Sequence, residues 1–171
     1  MKKKILRGVV IAMLAILCFV LQTTLLKRIA LANVVPNLLL ILVVAISYMK
    51  GLNAGMATGM FCGLLSDFLY GEVVGMGALS FLIIGFLAGL AHKIYAPEDV
   101  TFPIILTMAG DFLYGMLYYV LHFLFRNRLD IGFYLTNVIV PELVYTVLVG
   151  ALLYKPIQKL MMLLADKQEE E

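Results

Sequence analysis

The sequence predicts an all-α, polytopic integral membrane protein of six transmembrane helices, and two observations predict it. Of 171 residues, 63% are hydrophobic and 14% charged, against about 45–50% apolar and about 25% charged in an ordinary soluble domain. Apolar stretches bounded by charged or turn residues also recur six times, each near the ~20 residues that a spanning helix takes. Six such helices use ~120 residues and leave no room for a folded extramembrane domain. Residues 1–154 therefore read as one membrane domain, and 155–171 as a cytoplasmic, amphipathic and charged tail.

The same composition excludes several classes. Formal net charge is only +2, and Lys and Arg stand at segment edges rather than on a stripe with interleaved aromatics, so nucleic-acid binding has no electrostatic footprint. Disorder and collagen-like repeats are excluded as well. Cys18 and Cys62 lie inside apolar runs with no His or second Cys at ligand spacing. They read as small packing residues, not as a disulfide framework or a metal site, and no cofactor is expected.

The first span, 9–26, follows the basic start MKKKILRG. Ala30-Leu31-Ala32 has the form of a signal cleavage site, but Lys27 and Arg28 intervene and the run is long enough to span, so a retained helix is expected. The second span, 34–49, opens on Pro36-Asn37 and is rich in Leu. The third, 51–70, carries Gly51, Gly55, Gly59 and Gly63 at strict i, i+4 spacing, with Asp67 and Gly71 continuing the row. The fourth, 76–91, repeats the pattern with Gly85 and Gly89. In lipid such rows matter because they let two backbones approach and exchange dispersion contacts. Packing of spans three and four against each other is the plainer expectation, and an outward groove for a partner's helix is the sharper one.

The fifth span, 101–125, places Thr107, Asp111, Gly115, Tyr118 and His122 on one face, because offsets of four, seven and eleven residues return near one direction at 3.6 residues per turn. The sixth, 133–154, contains Pro141 directly before Glu142. The proline removes the hydrogen bond to the Asn137 carbonyl and leaves an acceptor free beside a carboxyl. Ionisable groups in a membrane are expensive, which makes Asp67, Asp111, His122 and Glu142 candidate functional residues. No Lys or Arg stands inside a span to pair with them. For Asp67, near a span end, an interface role is as good a reading as function. For Asp111 and Glu142 the reading favours a polar anchor for a partner or a ligand pocket over internal packing. Asp67-Phe68-Leu69-Tyr70-Gly71 recurs as Asp111-Phe112-Leu113-Tyr114-Gly115, a possible internal repeat or a coincidence of biased composition. In the tail, Ile157, Leu160, Met161 and Leu164 at helical spacing predict an amphipathic helix on the inner surface.

With the N-terminus inside, nine basic residues face inward (Lys2, Lys3, Lys4, Arg7, Lys50, Lys93, Lys155, Lys159 and Lys167) and four face outward (Lys27, Arg28, Arg126 and Arg128). This bias predicts both termini in the cytoplasm. Tyr48, Tyr70, Tyr95, Tyr118, Tyr119, Tyr134 and Tyr154 fall near span ends, as in an interfacial aromatic belt.

Nothing pairs a nucleophile with a base. Met108-Ala109-Gly110-Asp111 lacks the first glycine of the GxGD pattern of intramembrane aspartyl proteases, and the Asn-flanked motifs of lipoprotein signal peptidases are missing around both Asp67 and Asp111. No enzymatic activity is expected.

Pro36-Asn37 before a Leu-rich span, the glycine row leading to Leu64-Leu65-Ser66-Asp67, and Gly71, Gly75 and Ala78-Leu79-Ser80-Phe81 leading to Gly85 together resemble the MreD family of bacterial rod shape-determining proteins. The resemblance is best over 36–89, and chain length, tails and span count agree elsewhere. Asn37 departs from it, since many members have Asp after the Pro, which puts an ionic role there in doubt. The resemblance implies a scaffold in the bacterial cytoplasmic membrane that binds the bitopic protein MreC. It implies work beside MreB filaments, the RodA glycosyltransferase and the elongation transpeptidase in lateral peptidoglycan synthesis, without catalysis. It also implies a fold related to the S components of energy-coupling-factor vitamin transporters, which supply the alternative function: a vitamin pocket lined by Asp111, His122 and Glu142. Very short outer loops and the absence of Trp argue against a small-molecule ligand.

Overall fold

The computed structural model describes residues 2–28, 34–70, 74–123 and 131–166. It is all-helical, with α1 (Lys2–Arg28), α2 (Leu38–Lys50), α3 (Leu52–Tyr70), α4 (Met76–Leu90), α5 (Thr101–Phe123) and α6 (Val140–Asp166). A 3-10 turn, Ala91–Ile94, extends α4, and Ile131–Tyr134 with the π-helical stretch Leu135–Ile139 leads into α6 without a break. Glu72, Gly71, Arg126, Arg128 and Lys167 lie outside the described residues, as does the side chain of His122.

Among the described residues, four stretches are long and apolar enough to cross a membrane by length and composition: Gly8–Leu26, Met76–Ile94, Thr101–Leu121 and Gly132–Leu163. Helix α2 is apolar but has only 13 residues, about 20 Å at 1.5 Å per residue, less than the ~30 Å hydrocarbon core. Its place explains its composition. Every residue from Leu38 to Met49 is buried, and α1, α3, α4, α5 and α6 all pack on it. A helix that is apolar all round needs apolar surroundings on every side, lipid or protein; LLLILVVAIS has no polar face to offer, and here protein surrounds it. Asn37 sets its start one turn later than the sequence predicts. The Asn37 side chain accepts a hydrogen bond from Leu40 N–H at 3.1 Å, the usual device for an N-cap. The outer helices instead present Met13, Leu17 and Val20 of α1, and Val144, Leu148 and Leu152 of α6, outward. Such apolar faces are suited to lipid.

Helices α3 and α4 form an antiparallel hairpin whose glycine rows meet. A side chain at Gly59 would strike the Phe81 carbonyl oxygen, one at Gly63 the Ala78 backbone, and one at Gly85 the Gly55 carbonyl oxygen; at Gly89 it would come within 2.6 Å of Leu52 Cα. The obstacles are backbone atoms, which cannot swing away. The row is thus filled by the neighbouring helix of the same chain, and no outward groove runs along it. Gly51 is the single residue joining α2 to α3 and has φ +87°, a conformation that side chains disfavour. A side chain there would also approach the His92 ring at 3.2 Å.

At the end where α2 finishes and α5 begins, polar contacts tie the helices together. Tyr48 Oη donates to the Ile94 carbonyl at 3.2 Å, and His92 Nδ1 lies 2.8 Å from the Tyr48 carbonyl oxygen. Gln158 Nε2 donates to the Pro97 carbonyl at 2.7 Å and to Tyr95 Oη at 3.3 Å. Tyr48 and Tyr154 are buried, at 0% and 3% exposure, rather than standing in an interfacial belt. The helical spacing seen in the tail belongs to α6 itself, which runs through Tyr154 to Asp166, with Ile157 and Met161 in the core.

Candidate functional site

A cavity of about 290 Å³ opens at the opposite end of the bundle, with walls drawn from all six helices. Gln22 comes from α1, Asn37 from the start of α2, Ser66 and Asp67 from the last turns of α3, and Gly77 from the first turn of α4. Tyr114, Gly115 and Tyr118 come from α5, Tyr134 from the helical turn Ile131–Tyr134, Val138 from the π-helical stretch and Glu142 from α6. The spacing of four between Tyr134, Val138 and Glu142 puts all three on one helix face.

The two carboxylates in this wall have different surroundings. Asp67 is 6% exposed, and its Oδ2 accepts from Gly75 N–H at 2.8 Å and Ala78 N–H at 3.0 Å while Oδ1 accepts from Gly77 N–H at 2.9 Å. These are the amides that a helix leaves unpaired at its N-terminus. Gly75, at φ +110°, offers no capping side chain of its own, so the acid on α3 caps α4 across the hairpin. Both Asp67 oxygens are thereby engaged. Glu142 accepts no hydrogen bond among the described residues, and its carboxyl faces the cavity within electrostatic reach of Tyr114, Tyr134 and Asp111.

Behind the wall runs a buried polar chain. Asn37 N–H donates to Thr146 Oγ1 at 3.1 Å, and the Thr146 hydroxyl bonds the Asp111 carboxyl. Asp111 is 3% exposed and its Oδ1 has no hydrogen-bond partner among the described residues. Thr107 turns back to the Pro103 carbonyl at 2.8 Å. The expected seam of α5 does face inward, with Thr107, Asp111 and Gly115 buried and Tyr118 half-buried. Gly115 leaves room for Ile139, whose Cγ1 would lie 2.9 Å from a side chain there. Ile139 ends the π-helical stretch, where Val140 N–H bonds the Leu135 carbonyl five residues back. The following Pro141 has no N–H to continue the α-pattern, so the disturbance read from the proline takes the form of a π-turn beside the cavity.

Asp67, Glu142 and, through Thr146, Asp111 are brought to one end of the bundle, whereas Gly55, Gly59, Gly63, Gly85 and Gly89 belong to the α3–α4 seam and Gly51 to the joint between α2 and α3. The Asp67 and Asp111 copies of the recurring pentapeptide do different work, one capping a helix and the other bonding Thr146 in mid-helix. Gln22, Ser66, Tyr114, Tyr134 and Thr146 line or back the site but are not marked as site residues by the sequence. Thr146 had a signal, standing one turn beyond Glu142. Among the described residues no cluster of three metal-ligating side chains occurs. The arrangement offers hydrogen bonds, aromatic rings and one open carboxyl.

A family model described as rod shape-determining protein MreD matches residues 2–164. No curated protein and no solved structure matches the chain.

Proposed function

Since the chain belongs to the MreD family of rod shape-determining membrane proteins, matched over residues 2–164, we propose that it is a non-enzymatic scaffold of the elongation complex, binding MreC and supporting lateral peptidoglycan synthesis beside RodA, the elongation transpeptidase and MreB. The family match carries this reading. In it, all six helices cross the cytoplasmic membrane with both termini inside, α2 crossing within a sleeve of protein. The cavity then opens outward, and Asp111 and Glu142 serve partner capture. An S component of a vitamin transporter is the alternative, and only the cavity speaks for it.

Glu142→Gln and Asp111→Asn keep shape and most hydrogen bonding while removing an ionisable group. Under the scaffold reading both variants insert and accumulate normally, MreC co-purification falls several-fold, and cells round up. Normal cell shape with lost vitamin uptake would favour the transporter. Normal shape, capture and uptake in both variants would reduce these acids to packing groups.

The topology is tested by single cysteines in a Cys-free background. Positions 3 and 168 are expected to label only from the cytoplasm, and position 72 only from outside, following the nine-to-four bias of basic residues. External labelling at position 3 or 168 would overturn the orientation.

A further inference from the structure

We propose that the cavity between the six helices binds an organic ammonium group, with Glu142 as its counter-ion and the rings of Tyr114, Tyr118 and Tyr134 as its walls. The inference stands apart from the scaffold reading and concerns the purified chain alone. Three observations carry it. The cavity holds about 290 Å³, close to the lower end of the range typical of small-molecule sites. Among the described residues its wall contains two carboxyls and no Lys or Arg, and of the two only Glu142 is open, because three backbone amides occupy Asp67. Three tyrosines share the wall with that carboxyl, Tyr114 and Tyr118 with ring centroids 6.1 Å apart.

An aromatic face attracts a cation through its quadrupole, and a partly enclosed site strengthens that attraction by shedding water. A carboxylate balances the charge of any such cation and, where the ammonium carries N–H groups as in ethanolamine, accepts them in charge-assisted bonds. An anion would meet Glu142 and the negative ring faces unfavourably. A neutral apolar guest would cover the polar side chains of Gln22, Asn37 and Ser66 without offering them a hydrogen bond. The cavity opens at one end of the bundle, which the proposed topology turns toward the outer membrane surface, so the ammonium can come from a free amine or from an aminophospholipid.

The test uses the full chain in detergent, with choline, ethanolamine and the neutral carbon isostere of choline, dimethylbutanol, as probes. Choline or ethanolamine is expected to raise Tm in a saturable manner, as a ligand selective for the folded state does, while dimethylbutanol is not. Glu142→Gln is expected to weaken amine binding about tenfold or more, since it removes the charged acceptor. Tyr118→Leu, which deletes a ring and leaves the carboxyl, is a second variant, also expected to weaken binding. Native mass spectrometry from nanodiscs of equal phosphatidylethanolamine and phosphatidylglycerol separates the sources. Selective retention of phosphatidylethanolamine identifies the headgroup, and binding of ethanolamine without that retention identifies a free amine. A Tm unmoved by either amine, an equal effect of dimethylbutanol, or undiminished amine binding by folded Glu142→Gln protein would overturn the proposal.

Discussion

Gly59→Leu is expected to lower the stability of the chain more than any other single change along the α3–α4 seam. The side chain at position 59 points at the Phe81 carbonyl, with the backbone of Leu82 at 3.3 Å behind it. A flexible side chain could rotate away from the intruder, but a helix backbone moves only if the whole of α4 is displaced. That displacement opens the Gly55–Gly85 and Gly63–Ala78 contacts on either side. Overpacking costs about 1–3 kcal/mol where side chains can adjust, so ~3 kcal/mol is the expected scale here. A chain of this size shifts by about 2–4 °C per kcal/mol, which places the loss of Tm at roughly 6–12 °C. Gly59→Ala should already show part of it. Gly8 supplies the control: nothing lies within 4 Å of a side chain added there, and Gly8→Leu should leave Tm unchanged. Equal melting of Gly59→Leu and wild-type protein, followed by circular dichroism in detergent, would mean that the two helices do not meet along this row.

That seam was readable in the sequence because it is written in a period. Glycines four residues apart define one ridge on any helix, and two such rows on consecutive segments joined by a short connection have an obvious way to meet. The inward seam of α5 was readable for the same reason. Helix α2 was readable as apolar but not as the enclosed centre, because a run without a polar face looks the same whether lipid or protein surrounds it. The tyrosines show the limit from another side. Tyr48 sits near a helix end, as an interfacial residue does, yet its hydroxyl bonds the Ile94 carbonyl, a partner supplied by the 3-10 turn after α4. The cavity is a joint property of six helix ends, and residues such as Gln22 and Tyr134, more than a hundred positions apart, carry no mark of belonging together. Pro141 did announce a disturbance, but a proline alone does not say whether the helix kinks, breaks or takes a π-turn.

Asp67→Asn is expected to be at least as damaging as Asp67→Ala, the reverse of the usual order for a conservative change. The carboxylate accepts with both oxygens at once, from Gly75 and Ala78 on one side and Gly77 on the other. Asparagine keeps one acceptor and turns an NH2 donor toward amides that are themselves donors. It also removes the negative charge that complements the positive end of the α4 dipole. Alanine leaves the same amides without a protein partner but adds no opposing donor, and water from the adjoining cavity can reach them. Hydrogen bonds to charged groups contribute about 1.5–3 kcal/mol each and are not additive, so either substitution is expected to cost on the order of 3 kcal/mol. The damage should be local before it is global. Hydrogen exchange at Gly75, Gly77 and Ala78 is expected to accelerate in both variants, while amides in the middle of α2 stay protected. The Asp67→Asn protein should melt no higher than the Asp67→Ala protein. Wild-type Tm and wild-type protection of those three amides in the Asn variant would show that the α4 start holds without its cross-hairpin cap.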